Sequence, residues 1–133
     1  MPFTCKIGDS FFLPDGGGRH RYVILTDPNK YDKVVLTNFT DARHTAFPVI
    51  FNPKDDKRLF TKRTTVQYEY ASLIPAKNLT ESNIDGWEFC QLNHVKKIVI
   101  GAFQSQHTPI FIIEALKVQY PAEYKEYYVP PSV

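Results

Sequence analysis

Residues 60–75 carry the clearest strand pattern in the chain and constrain the fold more than any other segment. Val66, Tyr68 and Tyr70 recur with the two-residue period of a β-strand, which predicts that they share one face. β-branched and aromatic residues favour this conformation because their stiff side chains pack well on a pleated surface. Pro75 ends the run. The sequence therefore predicts a long central strand with two cations, Lys62 and Arg63, at its entry.

Length and composition are those of one soluble domain. The chain has 133 residues, of which 43% are hydrophobic, and this is enough for a buried core. The formal charge is only +2, so a nucleic-acid site would have to be local. Cys5 and Cys90 show no CxxC spacing, which favours a reduced setting over a disulfide scaffold. With neither a signal-peptide pattern nor an apolar run approaching the roughly 20 residues that span a bilayer, we expect a cytoplasmic protein with no membrane partner.

Short apolar runs separated by turn residues predict an antiparallel sheet. One short strand is expected within residues 6–13. Residues 22–26 and 33–40 form two more, and the turn-length segment between them predicts an antiparallel hairpin. Residues 41–58 are more polar and irregular, and we interpret them as a long surface excursion that contains a short strand at 49–51.

The hydrophobic period changes to that of a helix after residue 91. An apolar stripe at helical spacing predicts an amphipathic helix; its members are Leu92, Val95, Ile98, Val99 and Ala102. Thr108 and Pro109 predict a second helix, with Thr108 as the N-cap and Pro109 as the first helical residue. This helix is expected to run to about Lys117, with its apolar residues at 111–113, 115 and 116 almost wholly buried.

These elements predict a single domain of the α+β class, mainly β. Residues 6–90 would form a small antiparallel barrel, with two C-terminal helices at about 91–118 packed on it. A Tyr- and Pro-rich tail at 119–133 is expected to be loosely attached.

Four segments carry a resemblance to a known family: residues 7–12 (IGDSFF), 19–25 after a glycine loop (RHRYVIL), 34–40 (VVLTNFT) and 64–73 (TTVQYEYASL). They resemble the PemK/MazF-like toxin superfamily, and the similarity covers roughly the first 75 residues. The resemblance implies an SH3-like barrel. It also implies the toxin of a type II toxin–antitoxin system, an endoribonuclease that inhibits growth by cutting single-stranded RNA. Such a toxin uses no metal or other cofactor, acts as a homodimer and is neutralised by a cognate antitoxin protein.

The catalytic pair of that superfamily falls on different residue types here. The resemblance places its Arg-Thr pair on Gln67 and Tyr68, which we retain as substrate-binding candidates. The residues that would replace the pair lie just before it: Lys62, Arg63, Thr64 and Thr65. Lys62 and Arg63 point to opposite faces of a strand, and we favour Arg63 for stabilising the transition state. The hydroxyls of Thr64 and Thr65 would donate to a phosphate, although threonine is also simply a good strand residue.

Metal-free RNA cleavage needs a base, an acid and cations for the charge on phosphorus. His20 is the candidate base or acid, because it follows a glycine loop and lies between Arg19 and Arg21. Guanidinium groups match the geometry of phosphate, so Arg19 and Arg21 are the candidate phosphate clamps. An exposed histidine on a solvated basic rim would explain the same residues.

Two further groups are candidates for contacting a substrate. Arg43 and His44 form a second basic pair, on the long loop, that would close over a ligand or else remain solvated. Tyr68 and Tyr70 would stack on bases, as aromatic rings do in single-strand binders, or else belong to the core or an interface.

The sequence thus leaves two functional hypotheses. The first is a metal-independent endoribonuclease that acts through Arg63, His20 and the neighbouring hydroxyls. The second is a non-catalytic SH3-like module that binds nucleic acid or a partner protein through residues 19–21.

Overall fold

The β-strands of this protein precede its α-helices along the chain. The computed structural model describes residues 3–13, 20–43 and 49–130. The strands there are β1 (Asp9–Phe12), β2 (Arg21–Ile24), β3 (Lys33–Asp41), β4 (Thr64–Val66), β5 (Ser72–Pro75) and β6 (Asp85–Phe89). The helices are α1 (Leu92–Gln104), α2 (Ile110–Gln119) and α3 (Pro121–Tyr127). The predicted α+β class is confirmed.

The nine-residue strand β3 is the one on which the sheet is built. One edge of β3 pairs with β2, and the other edge pairs with both β5 and β4. The six-stranded sheet has the order β4-β3-β2-β1-β6, with β5 also on β3 and every pairing antiparallel. The predicted β2–β3 hairpin is therefore confirmed. Within the described residues the sheet does not close into a barrel, because β4 and β6 are separate edges.

Residues 60–75 do not form one long strand. A 3₁₀ turn at Tyr68–Tyr70 separates β4 from β5 and shifts the register of their pairing with β3. Tyr68 is consequently 3% exposed and donates a hydrogen bond to the Ile98 carbonyl at 2.8 Å, whereas Tyr70 is 64% exposed. The expectation that these tyrosines share a face is wrong, because the two-residue period holds only while the backbone stays extended.

Both faces of the sheet are covered by apolar side chains. Alternation along β3 sends Val35 and Phe39 towards the helices, and Val34 and Leu36 into a smaller cluster on the other face. The smaller cluster is completed by side chains from outside β3, namely Cys5, Phe11, Ile24 and Leu79. The sheet is therefore a buried layer whose sides are fixed by the pleat.

The described part of the long excursion folds back onto the core. Phe51 stacks on Phe60 with ring centroids 4.6 Å apart, and Phe39 meets Phe60 edge-on at 5.2 Å. Phe51 also forms an isolated bridge with Thr64, where a short strand was predicted. These aromatic contacts fasten the segment that leads into β4.

Helices α1 and α2 begin close to their predicted positions. The apolar stripe of α1 is buried except for Leu92. Helix α2 begins after Pro109, and Thr108 donates to the Ala102 carbonyl at 2.8 Å instead of capping the helix. Phe111 is 56% exposed, so the expectation of near-complete burial at 111–116 is wrong at that residue. No helix in the described residues is long and apolar enough to cross a membrane.

The expectation of two helices and a loose tail is also corrected, because residues 121–127 form the third helix, α3. Its Tyr124 meets Phe103 of α1 edge-on, with ring centroids 5.6 Å apart, and stacks on Tyr128 at 4.8 Å. The Val129 N–H donates to the Phe103 carbonyl at 3.0 Å. Aromatic packing therefore holds residues 121–129 against the body of the protein.

Candidate functional site

A cleft of about 480 Å³ beside the β3–β4 pairing gathers much of the predicted site. We call it the cation cleft and define it by six of its lining residues: His20, Arg21, Arg43, Arg58, Lys62 and Thr64. Of the described acidic residues, Asp41 is the one that lines it. A chain with almost no net charge thus concentrates four basic side chains and a histidine around one opening.

Strand pairing explains why these residues meet. Tyr22, at the start of β2, pairs with Asn38, and Thr64, at the start of β4, pairs with Asp41. Because β3 lies antiparallel to both strands, the entries of β2 and β4 come to the same end of the sheet. His20 and Arg21 arrive there with β2, and Lys62 arrives immediately before β4.

Arg21 is held in a fixed position in the cleft wall. Its guanidinium carbon lies 4.4 Å from the ring centroid of Phe12. The same group donates hydrogen bonds to the Ser10 hydroxyl at 3.1 Å and to the Gly86 carbonyl at 3.0 Å. Since stacking and hydrogen bonds both orient it, Arg21 contributes a positive charge whose position does not depend on a ligand.

Two other cations of the cleft, Lys62 and Arg58, form ion pairs with carboxylates. Lys62 pairs with Asp41 at 3.0 Å, and Arg58 lies 3.4 Å from both Asp56 and Glu88. The Lys62 and Arg58 side chains are more than half exposed, so solvent weakens these pairs. An arriving phosphate can therefore compete for Lys62 at small cost, whereas Arg58 also pairs with Asp56, whose side chain is only 6% exposed.

The sequence analysis favoured Arg63 for stabilising the transition state, but Arg63 does not line the cation cleft. Its guanidinium donates to the Ala42 carbonyl at 3.2 Å, and Lys62 faces the cleft in its place. The Thr64 hydroxyl donates to the Lys62 carbonyl at 2.8 Å, and the Thr65 hydroxyl donates to the Val49 carbonyl at 2.6 Å. The protons of both hydroxyls are therefore directed at backbone oxygens, and these threonines order the wall of the cleft.

A second cleft of about 390 Å³ adjoins the first. The two clefts share Thr40, Asp41 and Arg43. We call the second one the amide cleft and define it by four further lining residues: Gln67, Glu69, Ser105 and His107. Together the clefts make a continuous concave surface around the end of β3.

Two predicted residues, Gln67 and Tyr68, occupy different places at the amide cleft. The Gln67 N–H donates to the Asn38 carbonyl at 3.1 Å, and the Asn38 amide donates to Gln67 Oε1 at 2.5 Å, so Gln67 is held at two points. Tyr68 also lines the amide cleft, but it is only 3% exposed, and burial raises the pKa of its hydroxyl well above its ordinary value. A buried ring is not available for the base stacking that the sequence suggested.

The structure thus brings His20, Arg21, Arg43, Lys62 and Thr64 together and directs Thr65, Gln67 and Tyr68 to the adjoining cleft. Arg19 and His44 lie outside the described residues.

Four of the residues that define the clefts were missed by the sequence analysis: Arg58, Glu69, Ser105 and His107. Arg58 belongs to the charged run at 54–58, and this run is the sequence signal that could have identified it. The sequence does not show, however, that the run folds back onto the core. His107 lies between α1 and α2, and nothing in its sequence neighbourhood indicates that it lines a cleft together with β4. In the described part of the chain no group of three His, Cys, Asp or Glu side chains is placed to hold a metal ion.

Comparison of the chain with family models, with curated proteins and with solved structures finds no match. The function is therefore inferred from the two clefts and from the resemblance carried by the sequence.

Proposed function

We propose that the protein is the toxin of a type II toxin–antitoxin system, a metal-independent endoribonuclease acting on single-stranded RNA. The observation that carries the proposal is the cation cleft, which sets His20 among four basic side chains. A groove of this kind attracts a polyanion, and a single strand leaves each 2′-hydroxyl free to move into line with its phosphorus. Histidine is the side chain whose ordinary pKa suits proton transfer near neutral pH.

The proposed chemistry is a transesterification within the RNA. His20 takes the proton of a 2′-hydroxyl, the 2′-oxygen bonds to phosphorus, and the bond from phosphorus to the 5′-oxygen breaks. Lys62 and Arg43 stabilise the extra negative charge on the phosphate oxygens, taking the role that the sequence analysis gave to Arg63. The departing 5′-oxygen takes a proton from water in the open cleft, and protonated His20 returns its proton to the hydroxide that is left, so the step consumes no net proton. The products are a 2′,3′-cyclic phosphate and a free 5′-hydroxyl.

The resemblance adds further parts to the proposal. The sheet is proposed to be an opened form of the SH3-like barrel, and the shared strand β3 with cover on both faces is compatible with that. Neutralisation by a cognate antitoxin protein, a homodimeric state and a cytoplasmic location are proposed on the same basis.

The test is incubation of the purified protein with mixed-sequence single-stranded RNA in EDTA, with the product ends mapped. Discrete cuts that leave 2′,3′-cyclic phosphates are expected. His20→Ala should lower the rate at saturating RNA by about a hundredfold or more, because it removes the proton acceptor. Lys77→Ala is the control, since Lys77 is exposed and lines neither cleft, and it should keep that rate.

A second candidate function is a non-catalytic module that binds nucleic acid or a partner protein. It is favoured by the use of Arg63, Thr64 and Thr65 in hydrogen bonds to the backbone, while the cations remain in the cleft. RNA that stays intact in EDTA but is retained by the protein in a salt-sensitive manner would replace the ribonuclease by this nucleic-acid-binding module. RNA that is neither cut nor retained would contradict both RNA-directed functions.

A further inference from the structure

The two clefts are joined in a way that suits a strand of RNA. Arg43 lines both of them, so a phosphate held at Arg43 stands at the boundary between the cation cleft and the amide cleft. In a single strand the base next to a bound phosphate can turn away from its neighbours, and proteins read such bases on their Watson–Crick edges. The amide cleft, with a volume of about 390 Å³, is the space into which that base would turn.

The Gln67 amide of the amide cleft is oriented before any ligand arrives. Asn38 is buried, and its amide donates to Gln67 Oε1. Since that contact identifies the oxygen of the Gln67 amide, the nitrogen of the same amide is the group left to donate to a ligand. Glu69 is exposed, lines the same cleft and adds a carboxylate two residues further along the chain.

A donor beside a carboxylate selects among the four bases. Guanine presents the acceptor O6 next to two adjacent donors, the N1–H and the 2-amino group. A carboxylate accepts two parallel hydrogen bonds from such a pair. Adenine, cytosine and uracil each present one donor position on this edge, so they leave one carboxylate oxygen unsatisfied.

We propose that the amide cleft is a guanine subsite, in which Glu69 accepts from N1–H and the 2-amino group while the Gln67 amide donates to O6. The proposal rests on the proposed function, because the base is delivered only when an RNA backbone lies in the cation cleft. Gln67 and Glu69 are then the residues that determine the sequence preference of the site.

The experiment measures binding of the full chain to oligouridylates that carry one guanine, adenine or cytosine. The oligonucleotides are 2′-O-methylated, so the 2′-oxygen cannot attack phosphorus and binding is measured without cleavage. Wild type should bind the guanine oligonucleotide about tenfold more tightly than the other two. Glu69→Gln should lose this preference. Glu81→Gln, which removes an exposed carboxylate lining neither cleft, should keep it.

The sign of the effect separates base reading from charge. Removal of a carboxylate reduces repulsion of phosphates, so charge alone would tighten binding of every oligonucleotide to the Glu69→Gln variant. If Glu69 reads guanine, the Glu69→Gln variant instead binds the guanine oligonucleotide more weakly than wild type, which is a change of the opposite sign. As a second measurement, inosine in place of guanine removes the 2-amino group, and it should weaken binding to wild type more than binding to Glu69→Gln.

Each remaining outcome contradicts the guanine subsite. If wild type binds the three oligonucleotides equally, or if Glu69→Gln tightens all of them alike, the subsite is wrong and RNA binding in the cation cleft still holds. If wild type binds none of them, both the subsite and the proposed function are wrong.

Discussion

At the scale of single residues, Asp41 limits the affinity of the cation cleft. Among the described acidic residues, Asp41 is the one that lines both clefts. Its carboxylate lies 3.0 Å from Lys62 Nζ. Both side chains are more than a third exposed, so the pair contributes at most about 1 kcal/mol to stability. Its larger effect falls on a ligand, because Asp41 occupies a cation that a phosphate would use.

We predict that Asp41→Asn binds single-stranded RNA more tightly than wild type. Lys62 loses its partner and the repulsion of phosphates decreases, so the affinity should rise by about fivefold at low salt, with a smaller gain as salt screens both effects. Fluorescence anisotropy with a labelled, uncleavable RNA measures the change. Glu126→Gln removes a carboxylate from α3 and should leave the affinity unaltered. An affinity for Asp41→Asn at or below that of wild type would count against the cation cleft as the RNA site.

At the scale of elements, α3 shows how a short helix is held by side chains and not by its own length. Seven residues are too few for a stable isolated helix in water. Tyr124 supplies the missing stability, since its ring contacts Phe103 and Tyr128 and lies 4.6 Å from the Lys117 ammonium. The helix therefore depends on its contacts with α1 and α2.

We predict that Tyr124→Ala lowers the free energy of unfolding by about 2 kcal/mol, because it removes a half-buried aromatic ring and the contacts that hold α3. Urea denaturation followed by circular dichroism measures the loss. Glu126→Ala, on the exposed side of the same helix, should change the stability by less than about 0.5 kcal/mol. Equal stability of Tyr124→Ala and wild type would mean that α3 is not docked in solution.

At the scale of the whole molecule, the distribution of charge matters more than its sum. A net charge of +2 attracts RNA weakly, but field lines are concentrated where four cations line one cleft. Association with RNA should therefore depend on local cations and be sensitive to salt.

We predict that the logarithm of the RNA affinity falls linearly with the logarithm of the salt concentration, by about 0.7 for each phosphate neutralised. Arg43→Ala and Lys62→Ala should each reduce the slope by about one such step. Lys77→Ala should not, because Lys77 is exposed and lines neither cleft. A slope that responds to Lys77 as strongly as to Lys62 would show that binding is spread over the surface and not concentrated in the cleft.

The sequence by itself determined the features that depend on local pattern. Turn residues and short apolar runs indicated β1, β2 and β3, and the helical stripe indicated α1. The basic residues at 19–21 were recognised as candidates because the two arginines flank a histidine, and those at 62–63 because they lie at the entry of a predicted strand. Local propensities and near neighbours suffice for these features, and no distant contact is needed to create them.

Tertiary structure alone decided the features that depend on contacts between distant residues. The hydrogen bond from Tyr68 to Ile98 belongs to the break in the central strand, and the packing of Phe103 against Tyr124 holds the last helix. The choice of Lys62 over Arg63 follows from the bond between Arg63 and Ala42. Such contacts join segments far apart in the chain, and their free energy overrides local preference, so no pattern within one segment reveals them.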